Sequence, residues 1–171
     1  METWDAITSR RNVRQFDART ISDADLDRIL EAGRRAPSAR NRQPWDFVLV
    51  TDRAQLGELS KVWRGAGHVA DAAAAVALVI ADGDDERSRS VAQYDLGQCT
   101  MQMLIAAADL GIASGHASVD DQDQARRVLG LPQDRIAVYI LDFGYPADRR
   151  LKPIVNPDRR PFDEVVHRGR F

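Results

Sequence analysis

The chain has 171 residues, 44% of them apolar and 29% charged, with a formal net charge of −2. That length points to one domain able to bury roughly two thirds of its unfolded surface. The charge excludes a global field for nucleic acid or an anionic membrane, no apolar run nears the about 18 residues of a membrane helix, and the sole cysteine, Cys99, excludes an internal disulfide or a CxxC zinc motif. His68, His116 and His167 lack metal-ligand spacing, so no metal is expected. The N-terminus is charged at once, at Glu2, Asp5 and Arg10, and shows no apolar leader, so the cytoplasm is the expected location.

Glu2–Ser9 reads as a short helix with Trp4 and Ile7 on one side. In Ser9–Phe16, SRRNVRQF, the arginines Arg10, Arg11 and Arg14 fall within five residues, with Asn12 among them. Guanidinium groups offer a rigid fork of donors suited to phosphate oxygens, so convergence on one anion is one reading. A solvated basic patch is the other. Ser22 is expected to cap a helix carrying Leu26, Ile29, Leu30 and Gly33 at helical spacing, ended by Pro37. Ala36–Trp45, APSARNRQPW, is a polar loop bracketed by prolines, suited to presenting backbone and amide groups to a ligand, or a plain connector.

Phe47–Val50 reads as a strand, and Asp52 with Gln55 as the start of a helix running to about Trp63. Trp63 fits core or interface, with a lid as the alternative. Arg64–His68 reads as a loop, and Val69–Ala81 as a segment that begins helical and ends as a buried strand, Ala75–Ala81. Residues 82–90 read as a solvated turn. Val91–Leu110 is a helix apolar nearly all round, hence central. Within it Cys99 reads as a small core residue, and Asp95 as favouring the positive helix end, with a cofactor role secondary. Gly111–Ser118, GIASGHAS, reads as a small-residue loop that lets backbone approach a flat ligand. Asp121 with Gln124 should cap a helix ending at Leu129, with Gly130 beyond it. Ile136–Phe143 is a strong strand stopped by Gly144-Tyr145-Pro146. The tail, Ala147–Phe171, lacks core patterning until Phe162–Val166, which favours docking. Helices and strands mix without regular alternation, which indicates an α+β domain.

The order RRNVRQF, APSARNRQPW, the alanine-rich helix ending in LGIASGH, LGLP, FGYP and RRPFDEVV resembles the flavin-dependent nitroreductase family over nearly the whole chain. The resemblance implies one α+β domain over residues 1–171, with a central mixed or antiparallel sheet flanked by helices. It implies an intertwined homodimer with two FMN molecules at the interface and an extension, 147–171, wrapping the partner subunit. By the same resemblance Arg10, Arg11, Asn12 and Arg14 hold the FMN phosphate and ribityl chain, with asparagine where serine is usual. Arg35, Pro37, Ser38 and Ala39, backed by Asn41 and Gln43, approach the flavin from the other subunit. Gly115, His116, Ala117 and Ser118 face the ring and its N5 edge, and Arg159 or Arg160 closes on the phosphate. His116 either touches ring or substrate or is an exposed loop residue; His68 and His167 read as surface or interface.

The implied activity is NAD(P)H-dependent reduction of a nitroaromatic, quinone or related small acceptor by a ping-pong mechanism, with the flavin carrying the chemistry and no side-chain nucleophile required. A lean stretch between Trp45 and the long helix suggests an open site. The alternatives are a flavin-storing protein with little turnover, or a specialised member that dehydrogenates a natural product or cleaves flavin.

Overall fold

The computed structural model describes residues 1–83 and 85–171; Asp84, in the expected turn, lies outside them. Among the described residues six α-helices and four strands alternate irregularly: α1 (Thr3–Ser9), α2 (Asp23–Arg34), β1 (Asp46–Val50), α3 (Arg53–Leu59), β2 (Ala74–Ala81), α4 (Glu86–Asp109), β3 (Ala113–Ser118), α5 (Gln122–Leu129), β4 (Arg135–Gly144) and α6 (Phe162–Val165). The strands form one sheet in the order β1-β2-β4-β3, antiparallel at every pair.

β2, AAVALVIA, shows why the sheet has two covered faces. Val76, Leu78 and Ile80 point to one side, into a core with α2 and α4; Ala75, Ala77 and Val79 point to the other, toward α3 and α5. Each fully buried valine or leucine there contributes about 1.5–3 kcal/mol. α2 and α4 pack closely because Gly33 has no side chain: a Cβ there would lie 2.1 Å from Met103 Cε.

Local signals place the starts of α2, α3 and α5 as expected. Ser22 accepts from the Asp25 amide, Asp52 from the Gln55 amide and Asp121 from the Gln124 amide, and Gly130 closes α5 at φ 67°. Four expectations need correction. α3 stops at Leu59 rather than near Trp63, and the segment before β2 is a short 3-10 turn, Gly67–Asp71, that starts before Val69. α4 starts at Glu86, inside the expected turn, because Asp85 caps it by accepting from the Arg87 and Ser88 amides. GIASGHAS is not a loop: Ala113–Ser118 pairs along β4 as an edge strand, its small residues fitting a strand covered by neighbours. Among the described residues no helix is long and apolar enough to cross a membrane.

Candidate functional site

The arginine segment is stitched to the sheet at both ends. Val13, buried, donates its amide to Ser114 O of β3 at 2.9 Å, and Asp17 donates to Tyr145 O at 2.8 Å. Phe16 packs where Gly144 leaves room, since a Cβ on Gly144 would lie 2.7 Å from its ring. Residues flanking the guanidinium groups are thus fixed, and the side chains of Arg10, Arg11, Asn12 and Arg14 stand out from a rigid edge.

Arg10 Nη1 donates to Asn12 Oδ1 at 2.9 Å. The half-buried Arg10 has its pKa lowered by burial first and by the positive charge of Arg159 second. Neither arginine forms a salt bridge among the described residues; Arg159 Nη1 donates only to the Asp158 carbonyl. Two neighbouring cations with no counter-charge among the described residues are suited to an anion. Arg11 Nη2 instead donates to Arg150 O at 3.0 Å, and Arg14 lines an adjoining hollow of about 460 Å³ with Asp148 and Arg149.

The strand phase sets the next feature. Ser114 turns its carbonyl to Val13, so the alternate residues His116 and Ser118 also turn their backbone groups to the outer edge of β3, past the arginine segment. An edge strand leaves such groups open to a ligand. The exposed His116 side chain lies on the α4 side, lining a cleft of about 290 Å³ with Arg10, Gly97, Met101, Tyr139 and Leu141. Gly115 and Ala117 point the opposite way. The room at Gly115 is filled from within the chain, because a Cβ there would lie 2.8 Å from Asp142 Oδ2.

The proline-serine loop is held by a residue whose main role the sequence reading missed. Asp95 of α4, 2% exposed, accepts from the Ala39 amide at 3.0 Å and from Gln98 Nε2 at 3.3 Å. Ser38 Oγ accepts from the Gln43 amide at 2.9 Å. Between these ties Arg40, Asn41 and Gln43 adopt φ of 56°, 55° and 51°. Non-glycine residues at positive φ are strained, so the ties keep the loop in a conformation it would otherwise leave. Because α4 starts at Glu86, Asp95 lies more than two turns inside it and not near its start as expected; a carboxylate on a helix apolar nearly all round was the available signal.

Other expected site residues lie apart. Arg35 Nε is held by Glu31 Oε1 at 2.6 Å, and Arg160 donates to the Glu164 carbonyl at 3.0 Å. Among the described residues, no hydrogen bond or salt bridge joins the loop Pro37–Gln43 to the arginine segment or to β3. Cys99 is buried in the core as expected, its thiol pushed up to about 12 by burial and by Asp95, and is inert at neutral pH. His167 lies on the surface, its ring centroid 4.3 Å from that of Phe171.

His68 departs from its expected surface or interface position. It is buried, and its Nδ1 lies 2.8 Å from Oδ2 of the fully buried Asp142. Asp142 is the lone charge within the apolar run of β4. A buried carboxylate requires a partner, and that requirement was the signal available in the sequence.

The profile of the nitroreductase family matches residues 7–145. A protein of Archaeoglobus fulgidus, provisionally assigned as an NADH dehydrogenase/NAD(P)H nitroreductase, is 31% identical over 96% of this chain and 96% of its own length. The NADPH-flavin oxidoreductase of Vibrio harveyi is 25% identical over 99% of this chain and 74% of its own. The solved structure of the NADPH:FMN oxidoreductase from Vibrio harveyi, complexed with NAD+, superposes with a TM-score of 0.84 over 97% of this chain and 76% of that one, at 25% identity. An FMN-dependent nitroreductase from Clostridium difficile has the same fold at a TM-score of 0.84 and 21% identity, over 97% and 98% of the two chains.

Proposed function

The chain belongs to the nitroreductase family, and from that premise we propose that it is an FMN-dependent oxidoreductase taking electrons from NAD(P)H and passing them to a nitroaromatic, quinone or related small acceptor. The observation that carries this reading is Arg10 beside Arg159, neither in a salt bridge among the described residues, with Arg10 and His116 lining one cleft at the outer edge of β3. The donor set fits FMN: a polyanion end needs paired guanidinium groups, and a ring edge needs amides unobstructed by side chains.

FMN, when bound, supplies the redox chemistry. Arg10, Arg11, Asn12 and Arg14 hold its phosphate and ribityl end, closed by Arg159, with Arg160 braced on Glu164 as the alternative. His116 and Ser118 offer backbone along the ring edge, Gly115 and Ala117 hold that edge in place through their pairing with β4, and Arg14 places positive charge near it. The loop comprising Arg35, Pro37, Ser38, Ala39, Asn41 and Gln43 serves the slot of the partner subunit, because Asp95 holds it apart from its own chain's arginine segment.

A homodimer follows from the same reading. Trp4, Tyr94 and Met101 leave an exposed apolar face on α1 and α4, and residues 147–171 are exposed except for half-buried Leu151. That extension wraps the partner subunit. Donor and acceptor alternate over one slot, a ping-pong sequence. The deciding experiment is an absorbance spectrum of the purified protein followed by NAD(P)H oxidation with and without a quinone. The expected result is a yellow protein that releases FMN, not FAD, on denaturation, and that turns over with the quinone. A colourless protein that takes up no added FMN sinks the reading.

A further inference from the structure

The buried His68–Asp142 pair lies outside the anion site and the ligand edge. Asp142 stands opposite Gly115 in the β3–β4 register, and both of its oxygens lie within 2.9 Å of where a Gly115 Cβ would be. The Val13 carbonyl is also 2.9 Å from that point. The carboxylate therefore sits where β3 and the arginine segment meet. Its Oδ2 is bonded to His68 Nδ1, while Asp142 Oδ1 and His68 Nε2, both buried, have no partner among the described residues.

A polar pair left half-satisfied in a core is costly, and an apolar pair of similar size would be at least as stable. Its presence calls for another role. Resting on the proposed function, we infer that His68 and Asp142 are positioning residues for the flavin edge. His68 holds the Asp142 carboxylate against Gly115, which fixes the height of β3 and hence the outward amides of His116 and Ser118 and the adjoining Val13 segment. Gly115 is then required by an internal carboxylate; its lack of a side chain does not serve the ligand directly.

The test titrates apo-protein with FMN and follows flavin fluorescence, with urea unfolding of each apo variant in parallel. His68→Leu should weaken FMN binding tenfold or more. His68→Gln, which can still donate to Asp142, should stay within about threefold of wild type. The double variant H68L/D142L removes both buried polar groups and so should recover stability, yet should still bind FMN tenfold more weakly. A double variant that binds FMN as tightly as wild type overturns the positioning role, even if His68→Leu alone fails to fold. Failure of the wild-type protein to bind FMN would instead overturn the proposed function, and this inference with it.

Discussion

Arg10 lies near enough to Arg159 that its pKa, lowered first by burial, is lowered further by the Arg159 charge, and neither guanidinium group meets a carboxylate among the described residues. Their sequence positions lie at opposite ends of the chain, so the fold brings together two charges that repel. An anion relieves that repulsion. A charge-assisted contact to phosphate is worth roughly 1.5–3 kcal/mol, and Arg10→Ala should weaken FMN binding by about 10- to 100-fold. Titration of apo-protein measures this, and an unchanged affinity removes Arg10 from the site.

The Ser38 loop depends on a single buried acceptor. Asp95→Ala removes the partner of the Ala39 amide and should lower stability by about 1.5–3 kcal/mol, the range for hydrogen bonds to charged groups. Asp95→Asn keeps an acceptor and should lose less. Urea unfolding gives the order; equal losses in the two variants would mean that the bond to Ala39 is not what holds the loop.

Much of the fold was legible because its signals are local. The caps at Ser22, Asp52 and Asp121, the αL glycine at Gly130 and the apolar run of β2 depend only on neighbours in sequence. The arginine segment was legible as residue types suited to an anion. What escaped depends on distant partners. Gly115 reads as a loop glycine until Asp142 is known to face it, and His68 reads as polar surface until β4 supplies a buried carboxylate. The strand character of Ala113–Ser118 comes from pairing with β4, against the low β-propensity of alanine and glycine.

Subunit association is measurable directly. The apolar side chains of Tyr94 and Trp4 are 73% and 72% exposed, unusual for two such residues on the packed helices α4 and α1. Sedimentation at micromolar concentration should give twice the chain mass of 19.1 kDa. Removing residues 147–171 should shift the equilibrium toward monomer and weaken FMN retention. A monomer that keeps FMN tightly would contradict the shared slot.

Glu31 gives a pH dependence of known sign. Its carboxylate accepts from Arg34 Nε and from Arg35 Nε, both at 2.6 Å, and those bonds lower its pKa from 4.5 to about 2. A carboxylate with a lowered folded-state pKa stabilises the fold above its unfolded value, and that contribution fades as pH falls from about 4.5 to about 2. Thermal melts of Glu31→Gln should therefore differ from wild type at pH 7 and converge near pH 2, by a small amount because the groups are exposed. A gap that widens in acid would contradict the assignment. Since Arg35 stays tied to Glu31 at neutral pH, Arg35→Ala should affect FMN binding less than Arg10→Ala.

The proposed ping-pong sequence is open to a kinetic test. The space beside His116 is about 290 Å³, at the lower end of small-molecule sites, and suits one planar ligand at a time. In the proposed ping-pong sequence the nicotinamide docks where the acceptor later docks. NAD(P)H should then reduce the enzyme with no acceptor present, and the oxidised nucleotide should leave before the acceptor binds. His116 presents an exposed ring at this place, while the flavin edge is proposed to meet the β3 backbone. His116→Ala should accordingly change the ranking of quinone and nitroaromatic acceptors while leaving the rate of reduction by NAD(P)H nearly unchanged. Initial rates across NAD(P)H concentrations, at several fixed acceptor levels, decide the order of events. Parallel double-reciprocal lines are expected, whereas intersecting lines would require donor and acceptor to be bound together and would overturn the proposed ping-pong sequence.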